Sequence, residues 1–571
     1  MENRKNLIIA VILCVGILLV WDRFFMPKPQ PTVTGVDNKP SSAQTAAQAD
    51  KPSFQPAPAA AGGGTERGKQ QIVSIETADA RFDLSSWGAS LAAVHLKTKK
   101  FRAGQDHGGE PLEIIRAPNG DQAPLLTEFS NSSFSLPANA VWSVAAQTFD
   151  RVTFSTNVNG AVITKSYVAL PEQYRLRLQI DVKNTSASEH AHQLMIAVAG
   201  HQDPVKKGGG MFSYAVASVE EMVCHVNGKV ERNDLGSLKK ETFSADGVVD
   251  WVAADERFFM VAAVPPRQPL GSLSKCVQRA PSEDRGDAAV ILPKQTVAPG
   301  GTVSYPFEIY AGPKYSELLS AVTPGVITGG APSAGPLADS DVGLQSSVNV
   351  TFAFLSRPMM ATLKAFHKVI GNWGLAIILL TLVVKLVTFY PAHRALLSGK
   401  RMAKLAPKVA ELKEKYGSDR ERLGRETMSL YKAQGVNVLG GCLPSLIQMP
   451  IWIALYSTLS YSVELYRAGF FGYIRDLSAP DQYYILPLVM GVVMFIQMRM
   501  APAGTDPQQQ KIMAIMMPIM FTGFQIFLPA GLAVYVLTNY LLGIVHQMVI
   551  NRLEKGPVPP APRALKTAKA T

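Results

Sequence analysis

Residues 374–390 read GLAIILLTLVVKLVTFY, apolar at nearly every position. About 20 such residues in a helix cross the roughly 30 Å hydrocarbon layer of a bilayer, with each backbone polar group satisfied inside the helix. Similar runs follow, so spans are read at 372–391, 440–462, 483–500, 511–528 and 531–550, the last two parted only by Pro529-Ala530-Gly531. Another apolar run, Leu7 to Trp21, comes after Arg4 and Lys5. No small-x-small cleavage site follows it; the next residues are Asp22, Arg23, Phe24 and Phe25. Residues 1–26 therefore read as an uncleaved signal-anchor span. The expected fold class is a polytopic α-helical membrane protein with six spans.

The chain is not all membrane. Of its 571 residues 47% are hydrophobic and 18% charged, too apolar for an ordinary soluble enzyme and too polar for a wholly embedded chain. Residues 27–70 are rich in Pro, Ala, Gln, Ser and Gly and form a tether that buries no core. From 71 to 325 the segments QIVSIETADARFDL, AVITKSYVAL and YRLRLQIDVKN alternate apolar and polar residues. Turn signals at Pro118-Asn119-Gly120 and Asn227-Gly228 punctuate them. That pattern predicts an all-β sandwich or barrel. Residues 326–343 form a Gly/Pro/Ser-rich linker. In 344–370, Phe352, Leu355, Met359, Leu363 and Phe366 recur every three to four residues. This amphipathic helix suits the membrane surface, or else packs on the β region as a core helix. Cys14 and Cys442 fall in apolar runs, while Cys224 and Cys276 lie too far apart for a metal knuckle and could pair in an oxidising compartment. His190 and His192 are spaced like a metal pair but read as polar residues of a surface loop, so no metal site is expected.

The net charge is +12, and its location sets the topology. The loop after the 372–391 span holds a run of basic residues from Arg394 to Lys432, and the tail adds Arg552, Lys555, Arg563, Lys566 and Lys569. The loop at 463–482 has only Arg467 and Arg475 against Glu464, Asp476 and Asp481. Positive-inside then puts both termini and the basic loop in the cytoplasm, and residues 27–343 outside, which for the inner membrane of a bacterium means the periplasm. Within the loop, KRMAKLAPKVAELKEKYG and DRERLGRETMSLYKAQG predict a helical hairpin over 398–435, joined at Gly417-Ser418. Leu405, Val409, Leu412 and Tyr416 would face Leu423, Leu430 and Tyr431. Its Lys400, Arg401, Lys404, Lys408, Arg422 and Arg425 read either as a solvated face or as a docking arm for an anion such as lipid or RNA.

Lys385 lies in the middle of its span, where a charge costs roughly 2.5–3.5 kcal/mol. Thr381 lies one turn earlier on the same helix face. Other spans carry Gln448, Gln497, Gln525, Asn539 and His546, and no acid lies near the middle of any span. Apolar residues continue on both sides of Lys385, so a water-filled cavity suits it better than snorkelling to an interface. The chain contains no G-x-x-x-x-G-K-[ST], no H-E-x-x-H and no G-x-S-x-G, so neither a catalytic centre nor a cofactor is expected.

NVLGGCLPSLIQMPIWIALY (437–456), LSAPDQYYILPLVMGVVMFIQ (477–497), DPQQQKIMAIMMPIMF (506–521) and LPAGLAVYVLTNYLLGIVHQ (528–547) closely resemble the YidC/Oxa1/Alb3 family of membrane protein insertases. LSRPMMATLKAFHKVIGNWG (355–374) is similar to that family's approach to its first core span. RFDLSSWGASLAAVHLK (81–97) and WVAADERFF (251–259) resemble the periplasmic domain of the Gram-negative branch. The resemblance implies a large periplasmic β-supersandwich, a five-helix insertase core at 371–550 and a basic tail at 551–571. It also implies a hydrophilic groove open to the cytoplasm and the lipid. Lys385 falls where the family usually has arginine, which keeps the charge and loses the bidentate fork. Thr381 and Tyr535 match groove positions, while Val536 stands where a second tyrosine is common. The expected groove set is Lys385, Thr381, Gln448, Gln497, Gln525, Tyr535 and Asn539. The implied activity is insertion and folding of inner-membrane proteins, alone or with the Sec translocon. The implied partners are nascent membrane proteins, that translocon, the ribosome and anionic lipids, and not DNA. A small-anion channel or transporter built on Lys385 is the alternative. A scaffold anchoring a sugar-binding β domain is a third reading; it predicts that loss of 71–325 abolishes function, whereas an insertase would tolerate most such deletions.

Overall fold

Alternation in sequence becomes alternation in space. In Ala161–Ala169 the side chains of Ala161, Ile163, Lys165 and Tyr167 are buried and those between them are part exposed. The same period in Arg175–Asn184 buries Leu176, Leu178, Ile180 and Val182. The computed structural model describes residues 69–553 apart from 103–108, 117–122, 138–139, 172, 202–219, 267–271, 323–352, 418, 435–442 and 501–506. The anchor at 1–26, the tether up to residue 68, the linker at 326–343, the start of the 344–370 segment, the Pro118-Asn119-Gly120 turn, Cys14, Cys442 and the tail after Leu553 lie outside the described residues.

The two strands above belong to a nine-stranded antiparallel sheet. Its order is Lys229–Asp234, Glu221–Val226, Val249–Asp255, Phe259–Val264, Thr302–Pro313, Arg175–Asn184, Ala161–Ala169, Arg151–Val158 and Ser143–Gln147. A six-stranded sheet runs Phe243–Gly247, Ser274–Ser282, Arg285–Ile291, His190–His201 and Gln295–Val297, with Leu126–Ser130 also paired to His190–His201. Four more strands, from Ile72 to Arg116, make a third sheet. The sheets share one apolar core that includes Trp251, Phe154, Phe307 and Ile196. The expected β-sandwich is thus present. Asn227 (φ 53°) and Gly228 (φ 75°) close the hairpin between Glu221–Val226 and Lys229–Asp234, both in the left-handed region that a two-residue turn of this twist needs. Cys224 and Cys276 form a disulfide that joins the nine-stranded sheet to the six-stranded one.

The expectation for His190 and His192 is corrected. Both lie on a strand, not a loop, and both are buried. His190 Nε2 is 2.9 Å from Ser186 Oγ, and His192 Nε2 is 2.8 Å from the Tyr305 hydroxyl. Burial pushes the His192 imidazole down to about 4, because the charged ring loses its water. Lys165 breaks the apolar pattern of its strand. Its amine is fully buried, donates to the carbonyls of Leu125 (2.7 Å) and Gly88 (3.2 Å), and lies over the Trp142 ring. Burial lowers it to about 7.

Beyond the β domain the chain is helical: α1 (Ala353–Ile370), α2 (Trp373–Val387), α3 (Phe389–Lys404), α4 (Ala406–Tyr416), α5 (Arg420–Ala433), α6 (Leu443–Tyr461), α7 (Ile485–Met500), α8 (Pro507–Gln525) and α9 (Ala530–Leu553). Among the described residues α9 alone is long and apolar enough by itself to cross a bilayer; α2 and α3 meet that test only as a pair bent by 64°. The single span expected at 372–391 therefore ends at Thr388, and the chain turns away. The hairpin is also corrected. Lys400, Arg401 and Lys404 belong to α3, and the hairpin proper is α4 and α5. Pro407 sits in the first turn of α4, where its missing N–H costs nothing but a continuous helix from α3 is broken. Leu405, Val409 and Tyr431 make the small core of the hairpin, as the apolar stripes predict. The apolar face of α1 is used too: Leu363 is fully buried, and Met359 and Phe366 pack on the same helical cluster as Ile377 and Leu459. Helix α9 packs on α2, α6 and α7 and is the centre of the bundle.

The β domain and the helices interlock at the α6–α7 loop. Val463 of that loop is fully buried in the β domain's apolar core. Tyr466 packs its ring on Phe101, Phe258 and Phe259 at centroid distances of 6.0, 5.1 and 5.4 Å. Lys100 donates to the carbonyls of Val463 (2.8 Å) and Glu464 (3.0 Å), and Arg257 to those of Ser460 (2.7 Å) and Ser478 (3.2 Å). Lys364 of α1 pairs with Glu317 at 2.7 Å and Glu464 at 2.6 Å. Burial lowers the Lys100 amine to about 8, against the opposing pull of Glu464 and Asp476.

Candidate functional site

The site starts at the capped end of α2. The Asn372 carboxamide accepts from the Leu375 N–H (3.0 Å) and donates to the Phe470 carbonyl (3.2 Å), which fixes the helix start against the α6–α7 loop. Gly374 lies directly under the Phe470 ring, where a Cβ would overlap it. One face of α2 buries Ala376, Ile377, Leu380 and Thr381. The opposite face exposes Leu382, Val383, Leu386 and Val387. Lys385 is half-buried between those faces. Among the described residues its amine has no hydrogen bond or ion pair. Thr381 returns its hydroxyl to the Ile377 carbonyl at 2.7 Å, the usual way a buried threonine is satisfied in an apolar helix.

The other predicted polar groups are spread over four helices. Gln448 of α6 donates to the Tyr535 hydroxyl of α9 at 3.2 Å, so these two meet. Gln497 of α7 lies against Gly543 of α9, and its Oε1 is buried without a hydrogen-bond partner. Asn539, one turn before Gly543, is half-buried. Gln525 ends α8, buried, with its Nε2 unsatisfied, and touches none of the others through a hydrogen bond. The expected set thus centres on α9, with Gln525 apart from it. Of the hairpin residues, Lys408 is on α4, and Arg422 and Arg425 are on α5; Arg422 lies over Tyr416, and Arg425 pairs loosely with Glu421. Among the described residues no three His, Cys, Asp or Glu groups gather where they could hold a metal ion.

One feature escapes a sequence reading. The bend at Thr388 turns α3 so that His393 Nδ1 lies 3.4 Å from His546 Nε2 of α9, with Phe389 stacked on the His393 ring and tilted against that of His546. A histidine eight residues past Lys385 carries no local sign of this contact. The apolar runs at 483–500, 511–528 and 531–550 also keep apolar side chains on the outside of the bundle. Helices α7, α8 and α9 expose Leu488, Val492, Ile496, Ile515, Ile519, Val545 and Val549, large apolar side chains that a water-facing surface would not gather in one region.

Comparison with known proteins covers both halves of the chain. The family model for the YidC periplasmic domain matches residues 72–360, and that for the 60Kd inner membrane protein matches residues 365–556. A YidC membrane protein insertase of Nitrosococcus oceani is 33% identical, across 97% of this chain and 99% of the relative. One from an Anaeromyxobacter species is 34% identical across 98% of each. A solved YidC insertase structure aligns over 84% of this chain and 92% of its own at 17% identity and TM-score 0.34. A galactose mutarotase-like protein of Lactobacillus casei aligns over 42% of this chain at 10% identity and TM-score 0.32. With two family models side by side and relatives matched almost end to end, the chain belongs to the YidC family of membrane protein insertases.

Proposed function

We propose that this chain inserts nascent membrane proteins through a positively charged groove centred on Lys385. The observation that carries the reading is the state of that lysine: a cation on an apolar helix, half-buried, with no partner among the described residues. Such a charge costs less with water or an acidic guest beside it than with lipid. A polar segment of the substrate enters from the cytoplasm and is held near Lys385, Thr381 and the Gln448–Tyr535 pair. The polar segment's path through hydrocarbon is shortened, and burial of the substrate's apolar segment in lipid drives the step at about 25 cal/mol per Å². No bond is made or broken.

The finer topology belongs to the same proposal: six spans, an anchor at 1–26, both termini and the α4–α5 hairpin in the cytoplasm, and the β domain in the periplasm. Its support is that the β domain docks on the acidic α6–α7 loop, while the basic α3–α5 segment lies at the other end of α2. The hairpin would receive the ribosome or anionic lipid, and the Sec translocon would share some substrates. The relatives are named insertases, which favours this reading over a small-anion channel. The test is purified protein in liposomes with a short two-span substrate and no nucleotide. Protease protection of the substrate, without anion leakage, is expected. Leakage without protection would overturn the reading.

A further inference from the structure

Arg257 lies in the WVAADERFF segment of the β domain, between the strands Val249–Asp255 and Phe259–Val264. Its guanidinium reaches both ends of the α6–α7 loop. Nε donates to the Ser460 carbonyl at 2.7 Å, and Nη2 donates to that of Ser478 at 3.2 Å. Ser460 is next to last in α6, so its carbonyl has no partner within the helix, and a cation there meets the negative end of the helix dipole. Ser478 lies between Leu477 and Ala479, whose carbonyls accept the N–H groups of Gly531 (2.8 Å) and Ala530 (2.7 Å) in the first turn of α9. We propose that Arg257 is a positioning residue, a clasp that joins the two ends of the loop, fixes the start of α9 through them, and keeps the loop seated as the seal on that end of the bundle. The inference rests on the insertase reading above.

The loop is tied to itself, so a pull at one end is felt along it. The Asp476 carboxylate accepts from the N–H groups of Arg467 (3.0 Å) and Ser478 (2.8 Å), and the Leu477 N–H donates to the Ala468 carbonyl (2.9 Å). The Asp481 carboxylate accepts from the Leu486 N–H (2.7 Å) near the start of α7. Leu465, Ala468 and Leu477 of the loop are buried in the same apolar cluster as Ile377, Leu380 and Tyr535. The loop therefore closes this end of the bundle with apolar side chains and keeps water out. A sealed end lets a polar guest enter at the other end without opening a path for ions. Lys100 also holds the loop, but both of its carbonyls, Val463 and Glu464, belong to the α6 end. The forked guanidinium is what lets one residue bind two carbonyls so far apart in the chain, a geometry the single ammonium of lysine does not reproduce.

The experiment uses the full chain in phosphatidylcholine liposomes and compares the native protein with Arg257→Met, Arg257→Lys and Lys100→Met. Hydrogen exchange is read at the amides of Ala530 and Gly531, chloride efflux reports the seal, and protease protection of a two-span substrate reports insertion. Arg257→Met loses two charge-assisted hydrogen bonds, so exchange at Ala530 and Gly531 should speed up about tenfold or more and chloride efflux should rise, with the substrate still protected. Arg257→Lys keeps the charge without the fork and should fall between. Lys100→Met should speed exchange at Leu465 and Tyr466 and leave Ala530 and Gly531 as they are. Unchanged exchange at Ala530 and Gly531 in Arg257→Met would overturn the inference. So would the same pattern in Lys100→Met, since joining the two ends would then be irrelevant, and so would faster exchange without added efflux. Should Arg257→Met also expose the strands of the nine-stranded sheet, the contrast between Arg257→Lys and Lys100→Met decides by the same criteria. If the native chain protects no substrate, the insertase reading fails, while the exchange pattern still judges the clasp.

Discussion

Replacing Tyr466 by alanine should undock the α6–α7 loop from the β domain. The ring makes three aromatic contacts, with Phe101, Phe258 and Phe259. Each such pair is worth about 0.5–1.5 kcal/mol beyond area burial. Truncating a fully buried aromatic costs about 3–5 kcal/mol, and Tyr466 is only part buried, so about 3 kcal/mol is the reasonable sum. At about 1.4 kcal/mol per factor of ten this is roughly a hundredfold rise in the open population. Hydrogen exchange on the full chain reads it directly at the amides of Leu465 and Tyr466, which donate to Ser462 and Val463. The strands of the nine-stranded sheet should keep their protection, because the opening is local. If loop exchange rises less than about threefold, the aromatic contacts do not hold the two parts together and the docking account is wrong.

Three further outcomes follow from the β domain and from α2. Reducing the Cys224–Cys276 bridge, or replacing both residues by serine, frees a loop of 52-residue separation, which costs about 4 kcal/mol and roughly 10 °C in the melting of the β domain. Lys165 is held at about 7 when folded against 10.5 as a free side chain. The unfolded chain then binds more protons between those values, so stability should rise with pH from about 7 towards 10.5, and Lys165→Met should flatten that rise in a thermal unfolding series. Gly374→Leu should displace Phe470, and protease cleavage in the 463–482 loop should accelerate; unchanged cleavage would mean the loop is anchored elsewhere.

What the sequence shows well is what neighbours in the chain decide. The alternation of AVITKSYVAL, the Asn227-Gly228 turn and the stripes of the hairpin each became the expected element, because period and turn chemistry act over a few residues. His190 and His192 had such a signal as well, since residues two apart share one face of a strand, and the loop assignment passed over it. Other features depend on partners far away in the chain. Lys165 sits at an inward position that only the carbonyls of Gly88 and Leu125 make tolerable. Val463 looks like part of a short acidic loop until the β domain encloses it. The break at Thr388 lies inside an apolar run with neither Pro nor Gly at that position, and the His393–His546 contact exists only because of it. Polar residues within apolar runs mark Lys385, Thr381, Gln448, Gln497, Gln525 and Asn539, and family resemblance adds Tyr535; neither says which helix faces Tyr535.

The central claim is that the positive charge of Lys385 carries insertion. It is tested most directly by scoring protease protection of one two-span substrate in liposomes for the native chain, Lys385→Arg and Lys385→Met. The account predicts that arginine retains insertion and methionine loses most of it. Equal insertion by all three would contradict it.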